Sequence, residues 1–256
     1  MTVTGERVVT AEGGFNPTFQ RHVAAYAQCA ELLPGGRVLD LGAGVGHSAH
    51  LLAPRESVAV DLDPGALAGQ ERETAVADMR DLPFADASFA SVLAVQSLEH
   101  VPDGDRVVRE AARVLEPDGV AVFVTPNRLT FARRDEIIDP YHYVEYGPQE
   151  LRALCLTAFA AVELRGLFGS ARYLSLVAAE HARLDRLLAR DPLRLRRLVP
   201  RRVRQRLYDR LLRRARSERD PRAAAIAPED FELRDVGLEE ALDLVAVCRR
   251  PSTPSA

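Results

Sequence analysis

The residues able to do chemistry begin with a cluster of small ones. In VLDLGAGVGHSAHLLA (Val38–Ala53) an apolar strand runs into Gly42-Ala43-Gly44-Val45-Gly46, and an apolar-periodic, helix-like segment follows. Gly42 and Gly44 permit positive φ and let a ligand approach the backbone, and the N-terminus of a following helix would add unpaired N–H donors. The spacing is G-x-G-x-G, not the G-x-G-x-x-G of dinucleotide sites. Asp40 closes the strand before the glycines, where a carboxylate repels a pyrophosphate but attracts an ammonium or sulfonium group. Asp61 ends the next apolar run, placed to accept both hydroxyls of a ribose. Asp78, in VADM after a third run, stands where it could accept a hydrogen bond from an adenine amino group. Singly, each acid reads as a cap or turn residue. Together with the glycines they point to a nucleoside with a cationic side.

These residues need strands to carry them. RVLDLG (from Arg37), SVAVDL (from Ser57), TAVAD (from Thr74), ASVLAV (from Ala90) and GVAVFVT (from Gly119) read as strands, most of them Val- and Leu-rich as in a sheet buried on both faces. Helical spacing marks Thr18–Leu33, ended by Pro34-Gly35-Gly36. A second helix spans Asp105–Leu115, capped by Asp103 or Asp105 and stopped at Pro117-Asp118-Gly119. Strand and helix alternate, which predicts a doubly wound open sheet. Residues 126–147 read as a long, partly aromatic loop, Gln149–Cys155 as a helix, Ala160–Arg165 as a strand and Leu242–Cys248 as a strong strand. Between the last two lies an Arg-dense segment, Arg172–Arg222. Its Leu184, Leu187, Leu188, Leu193, Leu195 and Leu198 suggest helices broken at Pro192 and Pro200.

Composition removes several classes. At 256 residues, 47% hydrophobic and 28% charged with net charge −3, the chain suits one α/β domain and not wholesale disorder. No apolar run nears the ~20 residues of a membrane span, and MTVTGERVVTAEGG lacks the apolar core of a secretory signal. Cys29, Cys155 and Cys248 are too few and too scattered for a disulfide framework or a zinc motif. A soluble cytoplasmic protein is the expectation. All 34 basic residues are Arg, which reads as coding bias rather than chemistry.

The glycine loop, the three acids, LPFADASFASVLAVQSLEHV and RVLEPDGVAVFVTPNR together resemble the class I S-adenosylmethionine-dependent methyltransferases over about Val38–Arg128. The resemblance implies a Rossmann-like, doubly wound, mostly parallel sheet of seven strands, the last antiparallel. An N-terminal helical lid (1–33), a core (34–170 and 241–250) and a helical insertion (171–240) would make a single domain of residues 1–256. It also implies that Asp40, Gly42, Ala43, Gly44 and Gly46 hold the methionyl part of S-adenosyl-L-methionine, that Asp61 and Leu62 meet the ribose side, and that Asp78 and Met79 meet the adenine. TGER (Thr4–Arg7), FQRHVAAY (Phe19–Tyr26), TPNRLTF (Thr125–Phe131), DPYHYVEY (Asp139–Tyr146) and DFEL…ALDLVAVCRRP are similar to actinobacterial saccharide O-methyltransferases, of the methylglucose lipopolysaccharide and mycofactocin oligosaccharide types. That narrower resemblance implies methylation of a hydroxyl on an oligo- or polysaccharide or a glycolipid.

A sugar hydroxyl is a weak nucleophile, so a base or a metal ion should help remove its proton. His142 is the candidate base and Glu145 its orienter. If a helical turn follows the fourth strand, Gln96, Glu99 and His100 share one face and could hold a divalent ion such as Mg2+. Related ubiquinone-pathway and glycan methyltransferases carry Glu where this chain has Gln96, and the set resembles their metal site; Gln96 otherwise counts with the cofactor residues and His100 with the catalytic ones. Arg21, His22 and Tyr26 share the first helix, where Arg21 could pair with the cofactor carboxylate. Glu6 and Arg7 could border the acceptor. The Arg run is punctuated by acids and has one aromatic, Tyr208, which argues against nucleic acid. It reads as a solvated insertion over the acceptor site, with peripheral contact to anionic lipid as the sharper alternative. Other functional readings are a methyltransferase for a small lipophilic or natural-product acceptor, and a non-catalytic S-adenosylmethionine-binding protein.

Overall fold

The computed structural model describes residues 16–131, 139–189, 199, 200, 203, 205 and 221–251. Its elements run α1 (Asn16–Ala30), β1 (Val38–Leu41), β2 (Ser57–Asp61), α2 (Pro64–Leu67), β3 (Glu73–Val76), β4 (Phe89–Val95), α3 (Gly104–Val114) and β5 (Leu115–Pro126). Then come α4 (Arg128–Phe131), α5 (Pro148–Cys155), β6 (Phe159–Gly169), α6 (Ala171–Leu188), β7 (Phe231–Arg234) and β8 (Asp243–Pro251). One sheet holds all eight strands in the order β3-β2-β1-β4-β5-β8-β6-β7. Strands β1 to β5 are mutually parallel, and β8 inserts antiparallel between β5 and β6.

Alternate residues of the central strands serve opposite faces, as the two-residue period requires. Ala121 and Phe123 of β5 and Leu244, Ala246 and Cys248 of β8 join a core under α3 and α5. Val120, Val122, Val124, Val245 and Val247 join a second core beneath α1 and α6. Covering both faces explains the Val- and Leu-rich runs. The strand order reverses between β1 and β4, and this switch opens a crevice at the carboxyl ends of the strands.

Three expectations change. The sheet has eight strands, not seven: β7 is a four-residue edge strand on β6, with only Phe231 buried, too short and too polar to announce itself. No α-helix follows the glycines; turns and a 3-10 turn, Ala49–Leu52, fill the interval before Pro54 and β2. Helix α1 is less a lid than a part of the second core, with Ala24, Ala25, Tyr26, Cys29 and Ala30 buried. Within the described residues the Arg-dense segment opens as one continuous 18-residue helix, α6, which stops ahead of Pro192. Leu193, Leu195, Leu198, Glu6 and Arg7 lie outside the described residues. Asp103 does stand at the N-cap of α3, but its carboxylate pairs with Arg80 instead of capping. Glu116, Pro117 and Asp118 are exposed in a bulge where the β4–β5 register shifts, and Gly119 beyond them is buried.

Candidate functional site

On the β1–β3 side of the crevice the three glycines do different work. All have positive φ (Gly42 70°, Gly44 54°, Gly46 70°), a conformation that side chains bearing Cβ take at a cost. A Cβ at Gly42 would collide with Ser97, and one at Gly46 with the side-chain amide of Gln70. At Gly44 a Cβ would meet nothing within 4 Å, so this is where a ligand can lie against the backbone. Met79 reaches the same bend, its methyl 3.4 Å from where a Gly42 Cβ would be. Ala43 is buried beneath it.

Asp40 is 1% exposed and its carboxylate is fully engaged, taking the Tyr26 hydroxyl at 2.9 Å and an Arg72 N–H at 2.8 Å. Burial pushes its pKa up, and Arg72 and Tyr26 pull the other way. Asp61 accepts the backbone N–H of Gly44 at 3.0 Å and that of Asp63 at 2.9 Å, bracing the bend from β2. Leu62, next to it, is 66% exposed, an apolar surface at the rim of the crevice. Asp78 is held below the usual carboxylate range chiefly by hydrogen bonds from Arg80, so it stays charged at the tip of β3. The spaced acids and the open Gly44 fit a ribose and an amino-acid chain laid across three strand ends.

Arg21 is committed within the protein. Its guanidinium forks onto Asp243 at the start of β8 and also donates to the Leu242 carbonyl at 2.8 Å. Burial opposes the charge, but Asp243 more than offsets it and the guanidinium stays protonated. Gln96 joins the same acid, its amide N–H 3.1 Å from Asp243. Gln96 takes a left-handed φ of 49°, uncommon for a residue with a Cβ. Asp243 therefore ties α1, β4 and β8 together. Sequence reasoning missed it, because nothing local distinguishes it from any polar strand-start residue.

Across the crevice, the loop after β5 returns to the tip of β4. Backbone N–H groups of Tyr143 and Val144 donate to the Glu99 carbonyl, and Asn127 and Tyr146 bridge at the base. This brings His142 to the 3-10 turn Leu98–His100. Donor atoms of Glu99, His100 and His142 lie within 4.8 Å of one another. His142 Nδ1 is 3.0 Å from Glu145 Oε1, and both side chains are buried. A carboxylate can only accept here, so Nδ1 carries the proton and Nε2 is the basic nitrogen. Burial alone would lower the His142 pKa; the Glu145 hydrogen bond and the charges of Glu99, Asp139 and Glu145 outweigh it and hold it above 6.5. Burial raises that of Glu99, against the pull of His100, His142 and Thr125. The His100 ring nitrogen Nδ1 sits 3.2 Å from the Tyr141 carbonyl. Glu145 Oε2 is buried without a hydrogen-bond partner.

The metal set expected from spacing is thus only half assembled: Glu99 and His100 meet, Gln96 faces Asp243, and His142 takes the third position. One carboxylate and two imidazoles can hold a divalent ion. Their nitrogen content suits zinc, manganese or iron better than Mg2+, which prefers oxygen.

Comparison with known proteins agrees with this architecture. A family described as "Methyltransferase domain" matches residues 39–123. A probable S-adenosylmethionine-dependent methyltransferase of Mycobacterium tuberculosis is 33% identical over 98% of this chain and 90% of its own length. A probable methyltransferase of the same kind from Mycolicibacterium smegmatis is 31% identical over 98% and 96%. Among solved structures, a SAM-dependent methyltransferase of Thermotoga maritima, titled a possible histamine N-methyltransferase, superimposes with a TM-score of 0.60. It shares 17% identity, with 91% of this chain and 92% of that one covered. At that identity the likeness concerns the fold. No helix among the described residues is long and apolar enough to cross a membrane.

Proposed function

The chain belongs to the class I S-adenosylmethionine-dependent methyltransferases, and from that membership and the crevice above we propose that it methylates a hydroxyl of an oligo- or polysaccharide or a glycolipid. One observation carries the hydroxyl: the buried His142–Glu145 pair facing the crevice beside Glu99. A neutral amine attacks a sulfonium methyl through its lone pair and needs no base in the transfer itself. An alcohol must shed its proton as its oxygen takes the methyl, and an imidazole oriented by a carboxylate is suited to receive it. S-adenosylmethionine supplies the electrophilic methyl group. Gly44 gives it a close backbone approach, Asp61 and Asp78 offer acceptors, and His142 Nε2 takes the proton while Glu145 steadies the imidazolium.

The saccharide class rests on the DPYHYVEY and TPNRLTF segments, which pair with each other at Arg128 and Tyr146 and reach the Glu99 turn through Tyr143 and Val144. In support of a covering insertion, Gln205 of the Arg-dense segment donates to the Pro140 carbonyl at 3.4 Å. A second reading of the same site is favoured by the 4.8 Å cluster: Glu99, His100 and His142 bind a divalent ion that orients the sugar hydroxyls. His142 Nε2 cannot be ligand and base at once, so metal titration with chelated enzyme separates the two. The acceptor itself is tested by a glycan screen with radiolabelled methyl donor. Label should enter oligosaccharides or glycolipids. Label entering only small lipophilic or natural-product alcohols overturns the saccharide assignment.

A further inference from the structure

The glycine bend does not stand unaided. Gln70, in the turn after α2, donates from its amide to the Gly44 carbonyl at 2.8 Å and to the Ala66 carbonyl at 3.3 Å. Its amide also lies where any Cβ on Gly46 would have to go. The amide is itself oriented: Arg72 Nε donates to Gln70 Oε1 at 2.8 Å. The other ends of that guanidinium reach Ser57 Oγ at 3.2 Å and Asp40 Oδ2 at 2.8 Å. Arg72 and Asp40 are 11% and 1% exposed, so this ion pair is shielded from water. One planar fork thus joins the acid before the bend, the start of β2 and the amide that grips the bend.

The consequence concerns the geometry of the bend in the ligand-free protein. Three alternate glycines, at 42, 44 and 46, sit in the left-handed region, and so free a stretch loses much conformational freedom when one shape is held. Asp61 holds the Gly44 N–H and Gln70 holds the Gly44 carbonyl, so the peptide groups on both sides of that residue are pinned, one from the end of β2 and one from the turn after α2. We propose that Gln70, oriented by Arg72, is a positioning residue for cofactor binding: it fixes the bend in the shape that receives the amino-acid portion of S-adenosylmethionine. Asp40, expected from sequence to hold the methionyl part of the cofactor, also anchors this support through Arg72. The proposal rests on the bend being the cofactor cradle.

The test is calorimetric titration of the full chain with two ligands, S-adenosylhomocysteine and 5′-methylthioadenosine, the second lacking the amino-acid portion. Gln70→Glu keeps an acceptor for Arg72 and removes the donor to Gly44, placing a carboxylate against a carbonyl. It should weaken S-adenosylhomocysteine roughly tenfold, the worth of one hydrogen bond, and leave 5′-methylthioadenosine within about twofold. Amide exchange at Gly44–Gly46 should quicken in the ligand-free variant. Unchanged affinity for S-adenosylhomocysteine, or equal loss for both ligands, overturns the proposal. Gln70→Met, which keeps bulk without either polar atom, gives the same readout should the first variant not fold. Failure of the unaltered protein to bind S-adenosylhomocysteine would instead remove the cofactor cradle from this crevice.

Discussion

The β1–β3 side of the crevice and the β4–β5 side are built on opposite plans. Around the glycines, the carboxylates and guanidiniums are paired within the protein: Asp40 with Tyr26 and Arg72, Asp61 with two backbone N–H groups, Gln70 with Gly44. What faces the crevice there is backbone, exposed apolar side chain and a charged Asp78. Around Glu99 the reverse holds. Ionisable side chains are driven together under burial, and a carboxylate oxygen of Glu145 is left without a hydrogen bond. The glycine side holds buried unpaired atoms too, His22 Nδ1, His47 Nε2 and Ser48 Oγ, so the contrast lies in the carboxylates: there they are tied to fixed donors, and around Glu99 they stand beside imidazoles that can exchange protons. The first side is made to hold a ligand and the second to act on one.

If that division is right, substitutions on the two sides should separate affinity from rate. His142→Ala should lower methyl transfer by about 10²–10⁴-fold, the usual worth of a positioned base, with S-adenosylhomocysteine affinity unchanged by titration. A parallel loss of affinity would erase the distinction. Gly44→Ala should do the opposite. Its Cβ enters space empty of protein, so folding bears only the left-handed strain of about 1–2 kcal/mol, while the ligand loses its place against the backbone. Gly46→Ala bears the same strain and must also evict the Gln70 amide, so its melting temperature should fall further than that of Gly44→Ala.

The smallest effects are those of pH, and the sides should differ in sign. The His142 pKa is raised, so methyl transfer should rise with pH through an inflection above 6.5, and Glu145→Gln should move that inflection to lower pH. In stability terms, a raised folded pKa gives a contribution complete below 6.5 and lost as pH climbs through the folded value. Beside the glycine bend, His22 and His47 stack with ring centroids 4.9 Å apart, and burial with neighbouring positive groups pushes their pKa values down to about 3 and about 4. Their unfolded forms take up protons first, so the stability they allow is lost as pH falls from 6.5 toward those values. Melting curves of His47→Phe and the parent chain across pH 4 to 7 check this: the variant should lose less stability on acidification.

The same division explains what could be read from sequence. The glycine bend, Asp40, Asp61 and Asp78 were legible because each sits at the end of an apolar run, and strand periodicity alone places it. The parallel strands were legible for the same reason, whereas β7 was not, since FELR buries one residue in four. On the β4–β5 side, spacing brought Glu99 and His100 together, whereas the bond from Gln96 to Asp243 carried no local signal. His142 and Glu145 were found as a loop pair, yet their approach to Glu99 depends on backbone bonds across more than forty residues. Gln70, Arg72 and Asp243 carried no signal at all. Each is an ordinary polar residue in a turn or at a strand start, and its importance comes from partners at distant sequence positions.

Helix α1 lies wholly outside the stretch of residues 39–123 that resembles a methyltransferase domain, yet it supplies Arg21 to Asp243 and the Tyr26 phenol to Asp40. Removing that helix would strand two interior acids, Asp243 without its counter-charge and Asp40 without one of its donors, and a cut at residues 39–123 would lose Asp243 together with β8. Engineers grafting this scaffold, or fusing a reporter ahead of it, should treat the leading helix as a keystone and place the junction upstream of Asn16.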